Sequence, residues 1–238
     1  VWEKIDEHKE VLRHYQKYAN LAIYQGSGFF TGEKTLQVKL HDGSLSEEMT
    51  AEKIIIDVGA RTNLPEISGR EATGYICSET LFGDKYPKQP YKSLIIVGGG
   101  PIGCEFSHIF AATGTKVTVV QHNNRLLSKA DEDISEQIRQ NMEAFGIKTY
   151  LNANLLEAKK ADDQKTLLFE DRETGERIEV TGEEIMYATG IKPVSKELKI
   201  ENTAIETDER GWIKTNEFLE TSVNGIWAIG DINGQPAF

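Results

Sequence analysis

Only two of the 238 residues are cysteines, Cys77 and Cys104, and neither has a second Cys or a His at metal-ligand spacing. That excludes a thiolate metal centre and leaves two reduced thiols, as expected of a cytoplasmic protein. Cys104 falls in the first turn of an expected helix, where the dipole would lower a thiol pKa. Burial as a small packed side chain is the favoured reading, since free Cys is among the most buried residue types. Long apolar runs are lacking too. The longest, Leu94 to Val97, stops at glycines, far short of the roughly 20 residues a membrane span needs. No leader-like segment is read either. Basic residues are scarce: 27 Lys and Arg against 38 Asp and Glu give a formal charge of −11. Self-repulsion of that sign disfavours nucleic acid and anionic membranes as partners.

What is present is 39% apolar residues on a length that suits one large domain or two small ones. Residues 2, 5, 12, 15 and 19 mark one face of an amphipathic helix amid dense charge. Strands are expected at LAIYQG, TLQVKL and KIIIDV, with a turn at Asp42-Gly43. GARTNLPEISG then reads as a crossover between domains. From 91 to 151 the pattern is βαβαβ: YKSLIIV, PIGCEFSHIFAAT, KVTVVQ, DEDISEQIRQNMEAF and IKTYL. Pro101 suits a helix start, while Gly114 and Gly146 suit helix stops. Ile134, Ile138, Met142 and Phe145 are expected to form the buried stripe of the second helix. Right-handed crossovers make this sheet parallel. Beyond Leu151, TLLFED, ERIEV and EEIMYATG read as a β-meander, and WIKTN and GIWAIGDI as further strands.

Gly98, Gly100 and Gly103 form G-x-G-x-x-G after a strand and at the mouth of a helix, the setting in which the pattern signals dinucleotide binding. Gly98 allows the tight turn, Gly100 the approach of a diphosphate, and Gly103 close helix–strand packing. Pro101 and Ile102 complete the helix N-terminus that faces the phosphates. The ribose ligand belongs at the end of the second strand, where Gln121 stands with His122 and Arg125 behind it. An uncharged amide still bonds a hydroxyl and does not repel a 2′-phosphate, which Arg125 would attract. NAD and NADP both stay open, with a lean to NAD because Arg125 is the one permanent cation. In the competing reading His122 and Arg125 are solvated loop residues.

VGGGPIGCEF, YATGIKP and TSVNGIWAIGD, in this order, resemble the FAD-dependent pyridine nucleotide-disulfide oxidoreductases, among them the dihydrolipoamide dehydrogenases and mercuric reductases. The resemblance implies an α/β fold in which a Rossmann-like three-layer NAD(P) domain, with parallel sheet and β-meander, is inserted in a partial FAD domain. It assigns 1–61 and 191–238 to the FAD domain and 62–190 to the insert. It also implies that the first FAD fingerprint, the redox CxxxxC and the dimerisation domain lie outside this chain, so that the piece alone is inactive and the full-length enzyme is a homodimer. Asp231 matches the aspartate that bonds the FAD ribityl chain, and Gly230 and Gly59 match close backbone approaches. Glu105 matches a glutamate near flavin and nicotinamide, Gly190 the loop facing the nicotinamide, and Leu155 an adenine contact. Apart from the resemblance, Glu105 reads as a carboxylate on the helix dipole.

Two departures stand out. Pro101 replaces a gating tyrosine of some members, and DVGART at 57–62 replaces the usual ATGARP, so Asp57 and Val58 interrupt one FAD contact. The implied function is hydride transfer between nicotinamide and flavin, with a disulfide or small molecule as the final acceptor. No residue of the chain is assigned a catalytic or metal-binding role. A soluble transhydrogenase and a non-catalytic NAD(P) sensor are the alternatives. GIWAIGD argues against the sensor, which needs no flavin-contacting strand.

Overall fold

A computed structural model describes residues 10–11, 14–15, 17–82 and 86–234. The amphipathic helix expected over 2–19 lies largely outside the described residues. The chain forms two compact units, Val1–Arg61 with Ile191–Phe238, and Thr62–Gly190. In the first unit β1 (Gly26–Gly32), β2 (Thr35–Leu40) and β3 (Met49–Thr50) make a three-stranded antiparallel sheet. The strand expected at LAIYQG begins only at Gly26. Gly26 pairs with Leu40, the last residue of β2, so β2 offers residues 21–25 no partner. The chain turns there, with Gly43 N–H donating to the Leu40 carbonyl at 2.9 Å. Next come β4 (Ile54–Ile56) and β5 (Ala60–Thr62). β4 buries Ile54 and Ile56 and exposes Ile55, the two-residue alternation of a one-sided strand.

The second unit holds β6 (Ile76–Cys77), β7 (Ser93–Val97), β8 (Lys116–Val120), β9 (Lys148–Tyr150), β10 (Ala153–Ala161), β11 (Gln164–Asp171), β12 (Arg177–Gly182) and β13 (Glu184–Tyr187). Its helices are α1 (Arg70–Thr73), α2 (Ser78–Leu81), α3 (Pro101–Ala112) and α4 (Glu132–Ala144). A five-stranded parallel sheet runs β6-β13-β7-β8-β9, and β10-β11-β12 form a separate antiparallel meander. β7 is buried on both faces, as a central parallel strand must be. Leu94 and Ile96 pack with Phe106, Phe110 and Met142 from the helices. Ile95 and Val97 point the other way, into a core with Leu167 and Phe169 of the meander. One strand thus glues three layers together.

Two expectations for this unit are corrected. EEIMYATG is no part of the meander: β13 inserts parallel beside β7, and the third meander strand is β10, which the sequence reading passed over. β10 carries a bulge between Leu155 and Glu157 that breaks its alternation. The stripe on α4 is also misplaced. Ser135 and Met142 are buried, whereas Ile134 and Phe145 are exposed. At about 100° per residue, Ile134 lies roughly 80° and Phe145 roughly 60° around the helix from Met142, on the rim of the contact.

The chain returns to the first unit through β14 (Ile191–Pro193) and ends in β15 (Ile226–Ala228), which runs parallel to β4. Ile54, Ile56, Ile226, Ala228 and Ile232 share one core there. WIKTN forms no strand, only an isolated bridge between Thr207 and Ile213. Trp212 and Ile213 are both buried, and the Trp212 N–H donates to the Asp208 side chain at 2.9 Å rather than to a ladder partner. Among the described residues no helix is long and apolar enough to cross a membrane, and no cluster of His, Cys, Asp and Glu has metal-binding form.

Candidate dinucleotide site

The glycine loop is fixed from three sides. Gly98 leaves β7 with φ 110°, a conformation closed to residues with a side chain, and a Cβ there would lie 2.3 Å from the Ala188 carbonyl. Gly103 faces Gly98 so closely that its Cβ would stand 2.0 Å from the Gly98 oxygen. Both glycines are therefore needed by the fold itself. Gly100 is different: it caps α3 in extended conformation, and a Cβ added to it meets nothing within 4 Å. Open space at that residue, in front of a helix whose first N–H groups no side chain caps, is what an approaching diphosphate requires. Pro101 takes the first helical position, where it forfeits no bond, and Ile102 is half-buried behind it.

Gly99, a glycine the motif does not require, is held most tightly. Its N–H donates to Gln121 Oε1 at 2.9 Å, and its carbonyl accepts from Leu127 N at 2.7 Å. The signal was the third consecutive glycine: a Cβ here would fall 2.4 Å from Leu126 Cδ2. Gln121 is buried, and its Nε2 donates to the Arg125 carbonyl at 3.2 Å. The amide expected at the ribose is thus engaged at both ends within the protein. Arg125 Nη2 donates to the carbonyls of Ser128, at 3.1 Å, and Ala130, at 3.4 Å. His122 is exposed, with Nδ1 3.2 Å from the Ala153 carbonyl. Ala153 N–H in turn donates to the Gln121 carbonyl, which brings the β10 strand carrying half-buried Leu155 to the end of β8.

Glu105 is exposed on α3, and the first turn of that helix holds no acidic residue. The dipole reading of Glu105 is therefore set aside, because the field fades within one turn. Gly190 (φ 95°) has open space at its Cβ position, and its carbonyl accepts from Asn63 N at 2.8 Å. In the other unit, Ile229 N–H donates to the Ile56 carbonyl, so the ends of β4 and β15 lie side by side. Gly59 and Gly230 both have positive φ there, and half-buried Asp231 is the second residue of a short 3₁₀ turn, Gly230–Asn233. A Cβ on Gly230 would lie 3.0 Å from Asp57 Oδ1, so the residue that departs from the family pattern sits beside the one that keeps it. The carboxylates of Asp57 and Asp231 and the open position at Gly59, at adjacent strand ends, suit the hydroxyls of a ribityl chain.

Of the two readings of Cys104, the buried one holds. The side chain is buried, its Sγ lies 3.6 Å from the Gly99 carbonyl, and burial, then the charge of Glu105, push its pKa from 9.0 to about 11. A raised thiol pKa contributes stability that is intact below pH 9.0 and is lost as pH rises through about 11. Iodoacetamide at pH 8 is expected to spare Cys104 in the folded chain and label it in urea, as peptide mass mapping would read. Equal labelling in both states would contradict the buried thiol.

The family model described as pyridine nucleotide-disulphide oxidoreductase matches residues 2–238. The dihydrolipoyl dehydrogenase of Acholeplasma laidlawii is 36% identical over 218 residues, 90% of this chain and 59% of that protein. The mercuric reductase of Staphylococcus aureus is 28% identical over 216 residues, 91% of this chain and 38% of that one. Among solved structures, a Cu(II) complex of the HOCl-induced flavoprotein disulfide reductase RclA from Escherichia coli superimposes with a TM-score of 0.83 at 28% identity, over 98% of this chain and 53% of the other. The chain therefore spans between 38% and 59% of the length of these relatives.

Proposed function

The chain belongs to the pyridine nucleotide-disulphide oxidoreductase family, whose members are FAD-dependent enzymes using NAD(P)H, and from that premise we propose how its two units divide the work. Thr62–Gly190 is the nicotinamide dinucleotide domain, and Val1–Arg61 with Ile191–Phe238 supplies part of an FAD site. The chemistry those groups supply when bound is hydride exchange between a nicotinamide and a flavin. The observation that carries the reading is the open space at Gly100 between two glycines that the fold cannot do without.

On this reading the N–H groups at the start of α3 bind the diphosphate, Gln121 braces the loop, and Leu155 lies under the adenine. Gly190 and Glu105 sit toward the nicotinamide, while Gly59, Gly230 and Asp231 hold the ribityl side of the flavin. Catalysis needs parts of the protein that this chain does not contain, and the full-length enzyme works as a homodimer on a disulfide or small-molecule acceptor. A CxxxxC pair elsewhere in that protein separates a disulfide reductase from a transhydrogenase of the same family. Titration of the chain with NADH and NADPH, followed by tryptophan fluorescence, is expected to saturate without turnover. The reading fails if neither nucleotide saturates at millimolar concentration, or if the chain alone oxidises NADH catalytically.

A further inference from the structure

The loop after β8 and the β11–β12 hairpin border an open surface recess of about 540 Å³ whose lining includes Asn123, Arg125, Ser128, Asn152, Arg172 and Glu173. Arg172 was not among the residues expected at the site, because it lies far along the chain in a turn. Its backbone N–H donates to the Asn152 carbonyl at 3.0 Å, and its Nη2 donates to the His122 carbonyl at 2.8 Å. That second bond places the guanidinium one residue beyond Gln121, at the end of β8, where the adenosine ribose of a dinucleotide belongs. Arg125 shares the recess. Neither arginine forms an ion pair among the described residues, although the chain carries 38 acidic residues against 27 basic ones. Each gives its side-chain hydrogen bonds to neutral carbonyls and keeps most of its donors uncommitted.

Two permanent cations that form no ion pair and outnumber the one carboxylate of the recess, beside a strand end occupied by an amide rather than a carboxylate, make an anion site. We propose, resting on the dinucleotide reading above, that this recess takes the 2′-phosphate of NADP(H), with Arg172 as the specificity-determining residue and Arg125 as its partner. Planar guanidinium groups suit a phosphate because they offer paired donors in a fixed fork. The opposing group is Glu173. Its carboxylate accepts from Asn152 Nδ2 at 2.8 Å, which ties it to the wall of the recess.

The test is a fluorescence titration of the whole chain with NADPH and with NADH. NADPH is expected to bind more tightly. Arg172→Gln keeps the backbone bond to Asn152 and is expected to weaken NADPH by roughly tenfold or more while leaving NADH within about twofold. Glu173→Gln is expected to tighten NADPH, and added salt to weaken NADPH more than NADH. Tighter binding of NADH by the unaltered chain, or equal loss of both nucleotides in Arg172→Gln, overturns the proposal while the dinucleotide reading stands. Absence of binding by either nucleotide overturns both.

Discussion

Replacing Gly100 with alanine is expected to leave the fold intact and to remove dinucleotide binding. The backbone there is already extended, and the added methyl meets nothing within 4 Å, so the protein accommodates it at no steric cost. Losing a glycine cap for alanine costs about 1 kcal/mol at most. A ligand diphosphate, by contrast, has to share that space with the methyl. The expected loss is about a hundredfold in Kd for NADH, or about 2.7 kcal/mol. Thermal unfolding and a nucleotide titration on the same preparation check both halves. An unchanged Kd would mean that the open face at Gly100 is not where the phosphates lie.

The mirror-image result is expected at Gly98. Alanine there must adopt φ 110° and place its Cβ 2.3 Å from the Ala188 carbonyl, a backbone atom that β13 holds in the sheet. Strained backbone costs about 1–3 kcal/mol, and overpacking a similar amount. Their sum, about 4 kcal/mol, is a large part of the stability of an ordinary domain. For a chain of this size it corresponds to a fall in Tm of roughly 10 °C, readable by circular dichroism. A Gly98→Ala protein that melts with the unaltered one would show that the strand-to-helix turn has room the structure does not give it. The two results together would separate two glycines of one motif, two residues apart, into one that serves the fold and one that serves the ligand.

How much of this was legible beforehand depended on how local each cause is. β7 is a continuous apolar run ending at glycines, β8 is a β-branched run that follows Gly114, and α3 starts at a proline, so the βαβαβ core could be read residue by residue. The position of β13 could not: EIMY is as apolar as any meander strand, and only its pairing with β7 decides its sheet. Apolar identity misled on α4, where small, polar Ser135 is buried while Ile134 and Phe145 face outward. At the site, the three motif glycines were plain in the sequence. The use of Gln121 was not, since its partners, Gly99 and Arg125, are set by how two loops meet. Arg172 was invisible for the same reason.

The doubly engaged amide of Gln121 also constrains how such a protein can change its coenzyme over evolutionary time. A glutamate at this position would still accept from Gly99, but its other oxygen would confront the Arg125 carbonyl, now 3.2 Å from the amide nitrogen, with no proton between them. The loop would have to be rebuilt before the new carboxylate became tolerable. Reversal of preference is then a two-step path through a less stable ancestor rather than a single exchange.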